Sequence, residues 1–404
     1  MNKYIKGYSS TEIPVYSKEF IEKIASDLVY KAVKLKKHEQ VMIYYDIGGR
    51  QLARELAKLC SMNGSRVWYK VRDLDVDATI IESASEKEIA RYFSFVNSEI
   101  MQADTIFLIR APRTPDVLSS VSAEKMALYN KSQAPIYMDY RVEHTNWELI
   151  YMPTQYEADF EGLDYEEYVA MFYNACNQPW DDIRKAQDIL CDILNLGKYI
   201  EFTADPNNTD SYKRTSVSMS IEGMTFYNST IDNNYPGSEV FSSPVKESVN
   251  GQIFAGGRKV LGHESKFVRD VYFEIKDGKI VKAKSSENES DMNEMLDRDS
   301  GGRYFGEIAI GTNPGLRRNV LNGLLNEKVG GSFHITPGRA YEYKLDSEGR
   351  PVHVFNGNIS SIHWDITIMM LPEYGGGEIK VDGKTIQKNG RFIIPGLEIL
   401  NTGL

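Results

Sequence analysis

Apolar residues follow two different rhythms along this chain, and the rhythm changes near residue 197. Val41-Met-Ile-Tyr-Tyr45, Arg66-Val-Trp-Tyr-Lys-Val71, Asp104-Thr-Ile-Phe-Leu-Ile109 and Pro135-Ile-Tyr-Met138 are short runs of the kind that form buried strands. Ahead of and between them, residues 17–36, 51–60, 87–99 and 121–130 are spaced as helices with one apolar face. Strands alternating with helices of this size read as βαβ units on a mostly parallel sheet. Residues 160–196 continue as helix: Ile183, Ala186, Leu190, Ile193 and Leu194 mark one buried face, and Gly197 suits a terminator.

Beyond Gly197 the two-residue rhythm takes over. Val217-Ser-Met-Ser-Ile221 alternates cleanly, and the runs 271–283 and 378–386 each carry an Asp-Gly pair, Asp277-Gly278 and Asp382-Gly383, suited to a hairpin turn. Helical spacing is confined to Ser290–Arg298 and Arg317–Leu325. The pattern predicts an α/β N-terminal domain with a mostly parallel sheet over residues 1–196, closed by a helical linker. A larger α+β C-terminal domain rich in antiparallel strands follows over 197–404.

Composition narrows the function. With 47 basic and 57 acidic residues in 404, the net charge of −10 argues against nucleic acid or an anionic membrane surface as partner. Three widely spaced cysteines, Cys60, Cys176 and Cys191, make neither a disulfide framework nor a CxxC metal site, which points to the reducing cytoplasm. No uncharged apolar stretch is long enough to span a bilayer, and the first twenty residues lack the apolar core of a signal peptide. Asp46-Ile-Gly-Gly-Arg50 stands where a strand turns into a helix but lacks both phosphate-binding glycine series, so it reads as a tight turn.

Candidate chemistry gathers in the second half. In His363-Trp364-Asp365 a strand would place the imidazole and the carboxylate on one face and the indole on the other, a half-shell for a divalent metal or an ordinary hydrogen-bonded pair. His334 lies in Gly330-Gly-Ser-Phe-His-Ile-Thr-Pro-Gly-Arg-Ala-Tyr341, whose Tyr341 by itself reads as a packed tyrosine. Glu239 follows a turn in Asn234-Tyr-Pro-Gly-Ser-Glu-Val-Phe241, and Glu307 sits among Phe305, Ile308 and Ile310, where a carboxylate is costly to bury unless paired or metal-bound. Three carboxylates and two imidazoles on separated segments are about what two neighbouring divalent cations require.

At these same residues the chain resembles the thermophilic-type metalloaminopeptidase family, that of aminopeptidase T and its bacterial relatives. Residues 234–244, Asp299–Glu307, His334–Tyr341 and Ile362–Asp365 match its segments in order, and Trp147 and Met152-Pro-Thr154 resemble its first domain. The resemblance implies two divalent metal ions per chain (zinc, cobalt or manganese), a homodimer, and removal of N-terminal residues from peptide substrates. It makes Glu239, Glu307, His334, His363 and Asp365 the metal ligands, with Asp365 or a glutamate as bridge. Glu307 or Glu239 becomes the proton carrier and Tyr341 an oxyanion donor, with Arg339 or Arg303 as a nearby cation. The chain departs from the family at Ser238, where a glycine is usual, at Asn326-Glu-Lys328 in place of Asp-Glu-Asn, and at Thr336-Pro337 in place of Ala-Leu. Two alternatives remain beside a binuclear peptidase. One is a lapsed, metal-binding dimeric scaffold, and the other is a mononuclear non-haem iron dioxygenase using His334, His363 and Asp365.

Overall fold

The computed structural model describes residues 14–113, 117–261, 266–342, 344–345 and 351–401; most of the stretch searched for a signal peptide lies outside them. The chain forms two compact units. One runs to Cys176 and takes back Ile231–Pro236, and the other comprises Asn177–Thr230 and the chain from Gly237 onward.

In the first unit the strands Arg66–Arg72, Gln40–Asp46, Thr105–Arg110, Asn146–Tyr151 and Asn234–Tyr235 lie side by side in that order, all parallel. Helix Lys18–Asp27, capped by the Ser17 hydroxyl, and helix Arg50–Met62 present buried apolar faces, as their spacing requires. Gly49 has no room for a side chain, since a Cβ there would lie 2.4 Å from Ile109 Cγ2. That close approach supports the tight-turn reading of residues 46–50.

One expected strand is a helix. The run Pro135–Met138 lies within the helical segment Ala134–Tyr140, which continues from helix Ala123–Gln133. Its proline falls where one helical segment passes into the next, and Tyr137 packs edge-on against Tyr44 at 6.1 Å between ring centroids. Asn146–Tyr151 takes the sheet position instead.

The second unit holds two antiparallel sheets. The larger orders Lys279–Lys284, Phe267–Lys276, Asn250–Val260, Thr215–Ser220, Tyr199–Ala204, Gly377–Val381, Lys384–Lys388 and Arg391–Phe392; both Asp-Gly hairpins are in it. The smaller orders Ile366–Met369, Ser332–Pro337, Phe305–Gly311, Glu239–Ser242 and Tyr227–Ser229. Phe202 of the larger sheet stacks on Phe333 of the smaller with centroids 4.3 Å apart, both fully buried. Helix Trp180–Leu196 belongs to this second unit, ahead of the boundary drawn at residue 197. Its buried Gln187 donates to the Glu239 carbonyl at 2.8 Å and to Thr312 Oγ1 at 3.0 Å, which ties the helix to the strand that carries Glu239. Of the two expected helices here, Glu289–Leu296 forms, whereas within Arg317–Leu325 helix begins only at Gly323 and runs to Asn326.

Candidate metal centre

Strand register assembles the site. In Phe305–Gly311 the alternate residues Glu307, Ala309 and Gly311 share one face. His334 stands opposite Ala309, and Glu239 stands opposite Gly311. The small Ala309 sits beside Glu307, and Gly311 admits the chain that follows Glu327, since a Cβ there would lie 2.3 Å from the Val329 carbonyl. The opposite face carries Ile308, Ile310, Val240, Phe333 and Ile335 into the core, so burying that face fixes the register of the polar one.

The fourth segment arrives ahead of strand Ile366–Met369, where His363 forms a single bridge with Gly338. His363 Nε2 lies 3.4 Å from Asp365 Oδ1, while the intervening Trp364 is buried, its Nε1 donating to the Val260 carbonyl at 2.9 Å. The alternation expected of His-Trp-Asp is thus realised although these residues precede the strand. Gly306 permits the approach of the neighbouring turn, since a Cβ there would lie 2.3 Å from the Arg339 carbonyl. That carbonyl accepts the His363 Nδ1–H at 2.8 Å, which turns Nε2 toward the carboxylates, the usual way a ligand histidine is oriented.

Two groups of potential ligands result, Glu239–Glu307–His334 and Glu307–His363–Asp365, and Glu307 belongs to both. Its Oε1 lies 3.2 Å from His334 Nε2 and its Oε2 lies 3.4 Å from His363 Nε2. All five sequence-predicted ligands are therefore together. His334, His363 and Asp365, the trio written for a mononuclear iron site, do not form a group among the described residues, because His334 and His363 lie toward different oxygens of Glu307. The fit to cations rests on the donors themselves. Glu239, Glu307 and His334 are at most 5 % exposed, and Glu239 Oε2 and His334 Nδ1 are buried without a hydrogen-bond partner. Buried acids and imidazoles in this number call for compensating charge.

The electrostatics agree. Burial pushes the Glu307 carboxyl up, but hydrogen bonds from His334 and His363 outweigh it and hold the group below its ordinary range. Asp365 is likewise held low against its burial, by the charge and hydrogen bond of His363, the charge of His334, and the Thr336 hydroxyl, which donates to Oδ1 at 2.5 Å. Burial disfavours the His334 cation, yet Glu307, Glu239 and Asp365 raise it to about 9. His363 is raised in the same way, against its burial, by Asp365 and Glu307. Tyr341 stands at the open side, 39 % exposed, with its ring 5.4 Å from those of His363 and Phe241; desolvation and the four neighbouring carboxylates push its hydroxyl up.

Of the two arginines considered as oxyanion donors, Arg303 is committed elsewhere, gripping Asp297 at 2.5 and 2.7 Å and Asn293 at 2.9 Å. Arg339 pairs with Glu342 at 3.0 Å, and both side chains are exposed. Sequence reasoning missed Lys328 and Glu327 as members of the centre. Lys328 Nζ is buried between Glu239 Oε1 at 2.6 Å and Glu327 Oε2 at 2.9 Å. Their only signal was the departure at Asn326-Glu-Lys328, which a charged run on a surface would also produce.

The family model for thermophilic metalloproteases (M29) matches residues 17–392. The chain belongs to this family. As an M29 metalloprotease it is a metal-dependent peptide hydrolase, and the resemblance read from its motifs holds across both units. Aminopeptidase 2 of Geobacillus stearothermophilus is 24 % identical to it, covering 92 % of this chain and 95 % of that one. The solved structure of wild-type AmpT from Thermus thermophilus superposes with a TM-score of 0.72 at 19 % identity, over 93 % of this chain and all of that one. A 2,5-dihydroxypyridine dioxygenase from Pseudomonas putida KT2440 gives a TM-score of 0.53 at 10 % identity over 97 % of this chain and all of that one. At such identities these two likenesses are of fold. Among the described residues of the M29 chain, no helix is long and apolar enough to cross a membrane.

The departure at Ser238 has a structural consequence. This residue, directly before Glu239, has φ near +100°, a conformation that glycine adopts freely and serine does not. Its hydroxyl shares a 2.7 Å hydrogen bond with Thr312 Oγ1, which offsets part of the strain. Ser238→Gly is expected to stabilise the fold by about 1 kcal/mol, strain relief exceeding the lost hydrogen bond. Urea unfolding with an unchanged slope checks this, and a destabilised variant would refute the strain argument.

Proposed function

We propose that this M29 enzyme is an aminopeptidase with a two-cation centre, releasing N-terminal residues from peptides. The observation that carries the reading is Glu307 lying between two ligand groups, one oxygen toward each imidazole. Glu239, Glu307 and His334 would hold one divalent ion, and Glu307, His363 and Asp365 the other, with Glu307 as the bridge. Bound there, such a pair supplies Lewis acidity, a water acidified toward neutral pH and a seat for the free amine of a peptide.

The protein's own groups do the rest. Glu239 is tied at Oε1 to Lys328 and has a single oxygen left as ligand. The proton for the leaving amine would pass through Glu307 or Glu239, the two carboxylates that face the site. The Tyr341 hydroxyl, at the open side beside His363 and held protonated, donates to the developing oxyanion. His363 is kept in register by the Arg339 carbonyl, and Asp365 by Thr336. The homodimer implied by the family resemblance belongs to the same reading.

The test is hydrolysis of leucyl and other aminoacyl anilides by metal-stripped protein reloaded with zinc, cobalt or manganese. Turnover restored by at least one ion, at two equivalents per chain, is the expected outcome. Protein shown to carry metal that cleaves neither anilides nor a peptide library would sink the aminopeptidase reading and leave the lapsed scaffold.

A further inference from the structure

The two ligand groups look alike in donors but differ in one fixed charge. Lys328 follows the short helix Gly323–Asn326; its N–H donates to the Leu325 carbonyl at 3.1 Å and its carbonyl accepts from Asn313 N–H at 2.9 Å, so its backbone is pinned. Its side chain is 1 % exposed and runs straight to Glu239 Oε1 at 2.6 Å. Among the described residues no such cation touches the other group. There Asp365 accepts from the neutral Thr336 hydroxyl, and Arg339, the arginine of the adjoining turn, pairs with Glu342.

We infer that Lys328 makes the two cation positions unequal. It holds Glu239 to single-oxygen ligation through Oε2, and its ammonium leaves the Glu239–Glu307–His334 position the weaker and more readily exchanged of the two. This rests on the two-cation reading above. Two effects of the lysine oppose each other. Orienting a ligand carboxylate favours binding, and losing such an outer partner typically weakens a metal by about 10- to 100-fold. A buried positive charge one residue removed from a divalent ion repels it with twice the strength that it repels a proton, in surroundings that screen poorly. Glu327 at 2.9 Å offsets part of that charge, but the lysine also occupies Glu239 Oε1 and so withdraws one ligand oxygen from the cation; together these lower affinity while the geometry is fixed. Lys328 is thus a positioning residue that also sets the order of loading.

Stepwise titration of metal-stripped full-length protein with Zn²⁺ or Mn²⁺, by calorimetry with metal counting after gel filtration, tests this. The wild-type protein is expected to bind in two steps separated by about tenfold or more in affinity. His334→Ala should remove the weak step alone, and His363→Ala should remove the tight one. Lys328→Met should strengthen the weak step and draw the two together, whereas Lys328→Arg, which keeps the charge, should preserve the gap. A gap unchanged in Lys328→Met, or a tight step that vanishes with His334→Ala and survives His363→Ala, overturns the inference while the two-cation reading stands. A single step of two equivalents in the wild-type protein overturns the inference alone, and one equivalent or none overturns both. The histidine variants decide the order even if Lys328→Met fails to fold, which circular dichroism would reveal.

Discussion

Glu307→Gln is expected to lower turnover on any aminoacyl anilide by on the order of a thousandfold, a loss of about 4 kcal/mol of transition-state stabilisation. The reason is geometric. Glu307 is the one residue common to both ligand groups, with its two oxygens 3.2 and 3.4 Å from the two imidazoles. The amide keeps the shape and one acceptor oxygen but loses the charge, so both positions are weakened at once and the metal content should fall at both steps. Glu239→Gln touches only one group and should leave the tighter cation in place. The comparison separates a bridge from an ordinary ligand, since a structural role alone would affect the two variants alike. Glutamine fits the pocket sterically, so the near-ultraviolet circular dichroism of both variants should match wild type. A Glu307→Gln protein with native spectrum, full metal content and near-normal turnover would refute the assignment of Glu307.

The outline of this site can be read from sequence because the strands do simple things. Alternation places Glu307 and Ala309 on one side of a strand whose other side is Ile308 and Ile310, and an acid in such a run has to be compensated. His363 and Asp365 are neighbours for the same reason. What sequence could not supply is pairing between strands. That Ala309 faces His334 and Gly311 faces Glu239 depends on long-range register, and only that register separates two groups around a shared Glu307. Lys328 was illegible because a lysine next to a glutamate reads as solvated, and burial is decided by the turn that carries it inward. The same limit explains Pro135–Met138, an apolar run too short to distinguish strand from helix, whereas Asn146–Tyr151 hid as a strand because its buried Glu148 breaks the apolar rhythm.

Metal binding should release protons, and its strength should climb with pH. In the metal-free protein the surrounding acids raise His334 from 6.5 to about 9 against the effect of burial, and His363 is raised as well. Both imidazoles are therefore protonated at neutral pH, while a divalent ion accepts only the neutral ring. Each displaced proton makes the apparent affinity at its position rise by about tenfold per pH unit, continuing for His334 up to about pH 9. Stability of the metal-free fold runs the other way. A histidine whose folded pKa exceeds its unfolded value contributes stability that is complete below about 6.5 and is lost as pH rises through about 9. The difference in melting temperature between metal-loaded and chelator-treated protein should accordingly widen between those two pH values. Calorimetric titrations in buffers of different ionisation enthalpy would count the protons directly at pH 7.5. If binding there released none, the imidazoles would already be neutral, and the tight coupling of His334 and His363 to Glu307 and Asp365 would not be the feature that governs loading.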